Sequence, residues 1–497
     1  MAVTRAVRHK TRFRTSLYLT PAVCCALTAS LCAEPADEIA AVLSKLPHAQ
    51  TKVSACVIDL ATGRTLFAKD ADQTLTPASC MKVFAMSAAL ANLGPKFDFE
   101  TILATDGRNL IVLGDGDPGF GDEKLCQKRK QGITAAFDRW ADALVAKGLT
   151  RIPGDLIIDE SIFEADRIHP SWEERDLDNW YAAAVGGLNI NDNCLDITVT
   201  PARERGAAPL IEVQPPTTLA RFVNAAKSGL KGEPVLRHRY DTYEYTIGGQ
   251  VPKRWRFGAV PFPDPGMLFA DSLRSVLARS NITVAGQIRS ARVRLPNGSL
   301  PPALTVLAKH ETPLADVLQR AGKDSQNLFA ECLLKRAGYA WAKRHGQADA
   351  VGSWATGRQA VMELAQAADL DPNGLQVADG SGLSRNNACS ARQLATLLMW
   401  NTRQPWAELF HDSLAEAGVD GSLKKRLRDT PGAIFAKTGT MHGVRALAGY
   451  VDGAGSPRYA FAVIFNGYPG TSAPYKSIQD RICRILLDNN AGRSARK

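Results

Sequence analysis

Two runs rich in apolar and β-branched positions make up "TKVSACVIDLATGRTLFAKD", and the turn residues Ala61-Thr62-Gly63-Arg64 separate them. This predicts two strands around a turn. The next stretch, "SCMKVFAMSAALANLG", is helical in composition and is stopped by Gly94 and Pro95. Near the other end, "AIFAKTGT", "VRALAGYVDG" and "RYAFAVIFNGY" read as three successive strands. The closing "YKSIQDRICRILLDNN" puts Ile478, Ile482, Ile485 and Leu486 on one helical face. Such a stripe is expected to pack on a sheet rather than lie on a membrane. Together these elements predict one mixed sheet closed by both ends of the chain.

The middle reads differently. Residues from about 96 to about 300 carry many short strand-like runs, among them "NLIVLGDGDP", "GDLIIDES", "LDITVTP" and "ITVAGQIRS". Pro and Gly are frequent there and long amphipathic helices few, which predicts an inserted β-rich region. Helical patterning resumes at "TPLADVLQRAGKDSQNLFAECLLKRAGYAWAKRHG". A chain of 497 residues with 45% hydrophobic and 22% charged positions is globular, with room for two to four domains.

The first residues change the charge argument. Arg5, Arg8, Lys10, Arg12 and Arg14 precede the mostly apolar "SLYLTPAVCCALTASLCA", the layout of an export signal cut near Ala33. Without residues 1–33, 55 basic residues face 50 acidic ones and the formal charge falls from +10 to +5. That does not argue for nucleic acid, and it suits an exported protein near an anionic envelope. A peripheral membrane contact stays open. Cys24, Cys25 and Cys32 lie in the signal; the other seven cysteines are scattered and odd in number, with no CxxC, so no disulfide framework is read. With no zinc-ligand spacing and isolated histidines, neither metal nor cofactor is expected.

Candidate chemistry begins at "TPASCMKVF", which sets Ser79 beside Cys80 with Lys82 just beyond. A serine is activated without histidine when an uncharged amine lies within hydrogen-bond reach. On a helix, residues three apart stand about 60° apart and one turn from each other, which gives Lys82 to Ser79. Cys80 falls on the opposite face and reads as a small packing residue. Single matches are weak, since Ser422-Leu-Lys-Lys425, Ser384-Arg-Asn386 and Lys227-Ser-Gly229 mimic parts of the same pattern. The basic run around Ser422 reads as a solvated face. The ordered set is specific: Ser79-x-x-Lys82 opening a helix, Ser325-x-Asn327 in a helical region, and Lys437-Thr438-Gly439-Thr440 on a late strand. Gly114-Asp-Gly116-Asp-Pro-Gly119 also matches a nucleotide-binding loop, but its two acids would repel a pyrophosphate.

"TPASCMK", "DSQNLFAECLLK", "DGSGLSRNN" and "AKTGTM" together resemble the class C penicillin-binding proteins, exported D-alanyl-D-alanine carboxypeptidases/endopeptidases among the penicillin-recognising serine enzymes. The resemblance implies an α/β (α+β) fold: a transpeptidase/β-lactamase-like domain with an antiparallel sheet flanked by helices and β-rich inserted domains. The peptidase domain would be discontinuous, 34–95 with 300–497, around an insertion at 96–299. That insertion would nest two subdomains, about 96–175 with 260–299 and about 176–259. By resemblance, Ser79 attacks the carbonyl between two D-alanines, Lys82 takes its proton, Ser325 relays a proton to the leaving amine and Asn327 holds Lys82 and the substrate amide. Lys437 and Thr438 would bind the terminal carboxylate, Gly439 would let substrate lie along the strand edge, and the N–H groups of Ser79 and Thr440 would form the oxyanion hole. Asp159 and Met441 are read as meeting the peptide's diamino acid, with a structural role as the competing reading for each. Peptidoglycan stem peptides are the implied partner, β-lactams the covalent inhibitors and the periplasm or cell envelope the location. A non-catalytic penicillin-binding scaffold and a β-lactamase are the rival readings; complete motifs oppose the first and the long insertion the second.

Overall fold

The computed structural model describes residues 34–453 and 456–494; the export segment read at 1–33, with Cys24, Cys25 and Cys32, lies outside them. The strands read at the two ends of the chain share one six-stranded sheet. Its order is Ala415–Glu416, Ile434–Met441, Val444–Gly453, Ser456–Asn466, Lys52–Asp59, Thr65–Lys69. Every pairing in it is antiparallel, so the expected mixed sheet is corrected on this point.

Both faces of this sheet are covered, which explains why its central strands are nearly continuously apolar. Lys52–Asp59 is buried at every position after the first, and Val444–Gly453 at its first eight. Val53, Ala55, Val57, Phe461, Val463 and Phe465 face one way, onto Ile482 and Leu486 of the Ala473–Ser494 helix. Truncating such a buried Ile or Leu to Ala costs about 2–5 kcal/mol. The opposite face is lined by small residues, Ala446, Ala448, Ala460 and Ala462. The helical layer, with Lys82–Leu93 at its centre beside Asn327–Arg344, packs against that smoother side.

The inserted region builds its own sheets. A five-stranded one runs in the order Ile288–Ser290, Leu156–Asp159, Leu110–Leu113, Asp98–Thr105, Thr305–Pro313. Its last strand comes from beyond residue 299, the limit read from the sequence. Smaller sheets follow between Cys194 and Pro261. Two longer helices depart from the strand-rich expectation: Ala135–Ala146, and Pro265–Arg279 with Asp264 accepting from the Met267 N–H. An acidic cap followed by Pro at the first helical position is a strong start signal. Phe120, Phe137, Trp140 and Phe269 form an aromatic cluster between these helices and the sheet.

Candidate active site

Ser79 stands on a single 3₁₀ turn, Ala78–Met81, and the α-helix begins only at Lys82. The sequence reading placed Ser79 on the α-helix itself. In a 3₁₀ turn side chains three apart eclipse, which brings them closer than the α-helical 60°. Ala78 just before it is left-handed, with φ of 48°. Two glycines clasp this turn. A Cβ on Gly382, itself at φ of 81°, would lie 1.9 Å from the Ala78 carbonyl oxygen. One on Gly439 would lie 2.4 Å from that of Pro77 and 3.3 Å from the Cys80 nitrogen. Gly439 therefore packs on the Ser79 turn, a close approach that a side chain there would block.

The Lys82 amine is buried and has three partners: Ser79 Oγ at 3.0 Å, Asn327 Oδ1 at 2.7 Å and the Ser381 carbonyl at 2.7 Å. All three are neutral oxygens. Burial pushes the Lys82 pKa well below its ordinary value, and the Lys437 cation pushes in the same direction. A neutral amine fits this geometry: two N–H groups go to Asn327 and Ser381, and the lone pair accepts the Ser79 hydroxyl proton. Asn327 is held in turn, its Nδ2 donating to the Tyr181 carbonyl at 2.8 Å.

Ser325 lies before the Asn327–Arg344 helix rather than within a helix, at φ of 61°. Its Oγ accepts from Lys437 Nζ at 2.8 Å, and Lys437 also donates to the Thr438 carbonyl at 2.9 Å. Lys437 is fully buried; burial lowers its pKa to about 8, Cys80 opposing and Arg445 adding to the effect. Thr438 donates to Ser422 Oγ at 2.9 Å. The segment set aside as a solvated face thus abuts the Lys-Thr-Gly strand. On the same strand, the Thr440 hydroxyl accepts from the buried guanidinium of Arg445.

Cys80, beside Ser79, donates its thiol to the Lys437 carbonyl at 3.2 Å. Desolvation raises its pKa to about 11 against the pull of Lys437, Arg445 and Lys82, so it remains a thiol at neutral pH. The seven cysteines from Cys56 to Cys483 are all buried and free.

A cleft of about 410 Å³ opens over Ser79, Ser325, Asn327 and Thr440. Met441 lines it, together with Arg385 and, from the inserted region, Trp180 and Tyr181. Asp159 is not among the lining residues. Its carboxylate is buried and accepts from the backbone N–H groups of Ser161, Val293 and Arg294 at 2.7–2.8 Å. That role joins strand ends and keeps the buried carboxylate away from the cleft, a correction to the specificity reading. The Gly114–Gly119 loop is no phosphate cradle: Asp117 is buried against Thr312 and Gly119, and the Gly187 carbonyl fills the space beside Gly114. Burial raises the Asp117 pKa to about 7.

With this geometry in view, a family model described as the D-Ala-D-Ala carboxypeptidase 3 (S13) family matches residues 36–487. The chain belongs to that family. Among S13-like relatives, the D-alanyl-D-alanine carboxypeptidase of Actinomadura sp. (strain R39) is 31% identical over 473 residues, 88% of this chain and 81% of the relative. The D-alanyl-D-alanine carboxypeptidase DacB of Haemophilus influenzae is 27% identical over 411 residues, 79% of this chain and 80% of that one. The crystal structure of penicillin binding protein 4 from Haemophilus influenzae superposes with a TM-score of 0.72 at 23% identity, covering 90% of this chain and 99% of that one, which is a likeness of fold. Within this S13 chain, sequence reasoning missed the Ser381 carbonyl, Tyr181, Ser422 and Arg445. The "DGSG" run flagged the first only as a motif, Ser422 was set aside with its basic run, and Tyr181 and Arg445 carried no signal by spacing.

Proposed function

We propose that this protein is a serine D-Ala-D-Ala carboxypeptidase and D,D-endopeptidase acting on peptidoglycan stem peptides. The observation that carries the reading is the buried Lys82 amine, held only by Ser79 Oγ, Asn327 Oδ1 and the Ser381 carbonyl. Ser79 Oγ attacks the carbonyl carbon between two D-alanines while its proton passes to Lys82. The N–H groups of Ser79 and Thr440 receive the oxyanion. Lys437 and Thr438 bind the terminal carboxylate. Lys437 already donates to Ser325 Oγ, which leaves the Ser325 hydroxyl proton free to go to the leaving nitrogen as the C–N bond breaks, and Ser325 takes in exchange the proton that Lys82 received from Ser79. Water then attacks the Ser79 ester, giving its proton to Lys82; the acyl C–O bond breaks and Lys82 passes that proton to Ser79. A β-lactam presents a strained amide to the same groups and acylates Ser79. Met441, Trp180 and Arg385 line the part of the cleft where the rest of the peptide would lie. The export signal read at 1–33 supports a location in the periplasm or cell envelope; among the described residues no helix is long and apolar enough to cross a membrane.

A labelled penicillin tests this. Stoichiometric covalent labelling of the folded protein is expected and is lost in Ser79→Ala. A folded protein that takes no label is the scaffold of the rival reading. Rapid release of the label as hydrolysed penicillin points instead to a β-lactamase. Product analysis on a stem pentapeptide and a cross-linked dimer measures the two peptidase activities separately.

A further inference from the structure

One of the three oxygens on Lys82, the Ser381 carbonyl, is main chain, so its position depends on what holds its loop. Two buried carboxylates do. Asp379 accepts from the Gly382 N–H at 2.8 Å and the Ser384 N–H at 2.6 Å, and also from Trp172 Nε1 and Asn387 Nδ2. Glu331, fully buried, takes the remaining pair: Ser381 N–H donates to Oε1 at 2.8 Å and Gly380 N–H to Oε2 at 2.9 Å. Trp354 Nε1 also donates to Oε2, at 2.8 Å.

Glu331 stands four residues after Asn327 on the Asn327–Arg344 helix, hence one turn on along the same face. A single helix therefore presents one acceptor to Lys82 directly and helps to fix a second, the Ser381 carbonyl, through the two N–H groups that precede it. We propose that Glu331 is a positioning residue for the base: it holds the Gly380 and Ser381 N–H groups and, with Asp379 holding the Gly382 N–H of the peptide that carries the Ser381 carbonyl, fixes the backbone so that this carbonyl faces Lys82. It also supplies a buried negative charge near the amine. The proposal rests on the reading of Ser79 and Lys82 as nucleophile and base.

The charged neighbours of Glu331 are Lys82, Asp379 and Lys335. Lys335 sits over the Trp354 ring at 3.4 Å and pairs with Glu164 at 3.0 Å, while His169 meets the edge of the same ring. Burial and then Asp379 raise the Glu331 pKa to about 7, against the pull of its three N–H donors. The anion favours the Lys82 ammonium, so removing it lowers the Lys82 pKa further.

The experiment follows acylation by a labelled penicillin across about pH 5 to 9 in the wild-type protein and in Glu331→Gln. The glutamine turns one acceptor oxygen into a donor facing other donors. The expected result is a plateau rate at least about tenfold lower, from a displaced Ser381 carbonyl. With it, the acid limb moves to lower pH by about half a unit or more. A folded variant whose acid limb does not move, or whose plateau is unchanged, overturns the proposal. If Glu331→Gln does not fold, Trp354→Phe decides: it keeps a ring under Lys335, removes one donor from Glu331 and is expected to move the limb the same way by less. An unmoved limb there overturns the proposal as well. A wild-type protein that takes no label brings down the Ser79–Lys82 reading first, and this proposal with it.

Discussion

Two buried cations flank the Ser325–Asn327 segment, and their surroundings are opposite. Arg320 is surrounded by acids: Nε and Nη2 donate to Asp122 at 3.0 and 2.7 Å, Nη1 donates to Asp324 at 2.7 Å, and Asp192 lies 3.5 Å away. Burial works against its charge, but Asp122 and Asp192 outweigh it and its pKa rises. Lys82 touches no carboxylate, and its pKa falls. The first cation is spent on holding the turn, since Asp324 adjoins Ser325 and Gln326 donates to Asp192 at 2.7 Å. The second is left short of counter-charge and can change its protonation state. Burial with acids in contact holds the Arg320 charge fixed, whereas burial among neutral oxygens lets the Lys82 charge be lost.

The most direct way to break this contrast is to give Lys82 an acid. Asn327→Asp would set a carboxylate where the Oδ1 acceptor stands 2.7 Å from the amine. The Lys82 pKa is then expected to rise by about 1–3 pH units, with penicillin acylation near neutral pH falling about 100-fold. Stopped-flow acylation across pH reads both, and an unmoved acid limb removes Lys82 as the base. The complementary break takes the acids' cation away. Arg320→Met leaves the buried Asp122 without its cation and Asp324 with Lys124 alone, and is expected to cost about 3–5 kcal/mol by denaturant melt. A loss under about 1 kcal/mol would show that solvent or another cation replaces the guanidinium.

A smaller effect sharpens the difference between the two lysines of the site. Lys437 is charged below about 8 and loses its proton as pH rises through that value. If Lys82 acts as the neutral base and Lys437 as the cation for the substrate carboxylate, acylation rises with pH as the depressed Lys82 amine loses its proton, and loss of the Lys437 proton near pH 8 opposes that rise. Lys437→Arg is expected to remove that opposition, because a guanidinium does not titrate there. The smallest effect belongs to Cys80→Ala, expected to keep acylation within about threefold, because the thiol only packs and donates to the Lys437 carbonyl. Abolished labelling in that variant would reverse the choice of nucleophile.

Much of this arrangement was legible because its chemistry sits on side chains at fixed spacing. Ser79 with Lys82, Ser325 with Asn327, and Lys437 each belong to a short motif, and the fold brings the three motifs together. The Ser381 carbonyl was hidden because every residue has one; only the loop's path makes it an acceptor for Lys82. Tyr181 contributes its backbone from the inserted region, 146 residues before Asn327, where no spacing rule reaches. Asp159 was misread for the converse reason: an acid at a strand end can face solvent or tie neighbouring N–H groups, and local sequence does not distinguish the two. The Pro265–Arg279 helix was masked by its strand-rich surroundings despite its Asp-Pro start.

The clasp of Gly382 and Gly439 around the Ser79 turn has a consequence for how this protein can change. Main chain rests on main chain there, so no side chain can be trimmed to make room. Every replacement at either position is an addition that presses on the turn carrying the nucleophile. Under drug pressure, the routes to a reshaped pocket therefore run through the cleft's outer wall, Trp180, Arg385 and Met441, where side chains can be exchanged without moving Ser79.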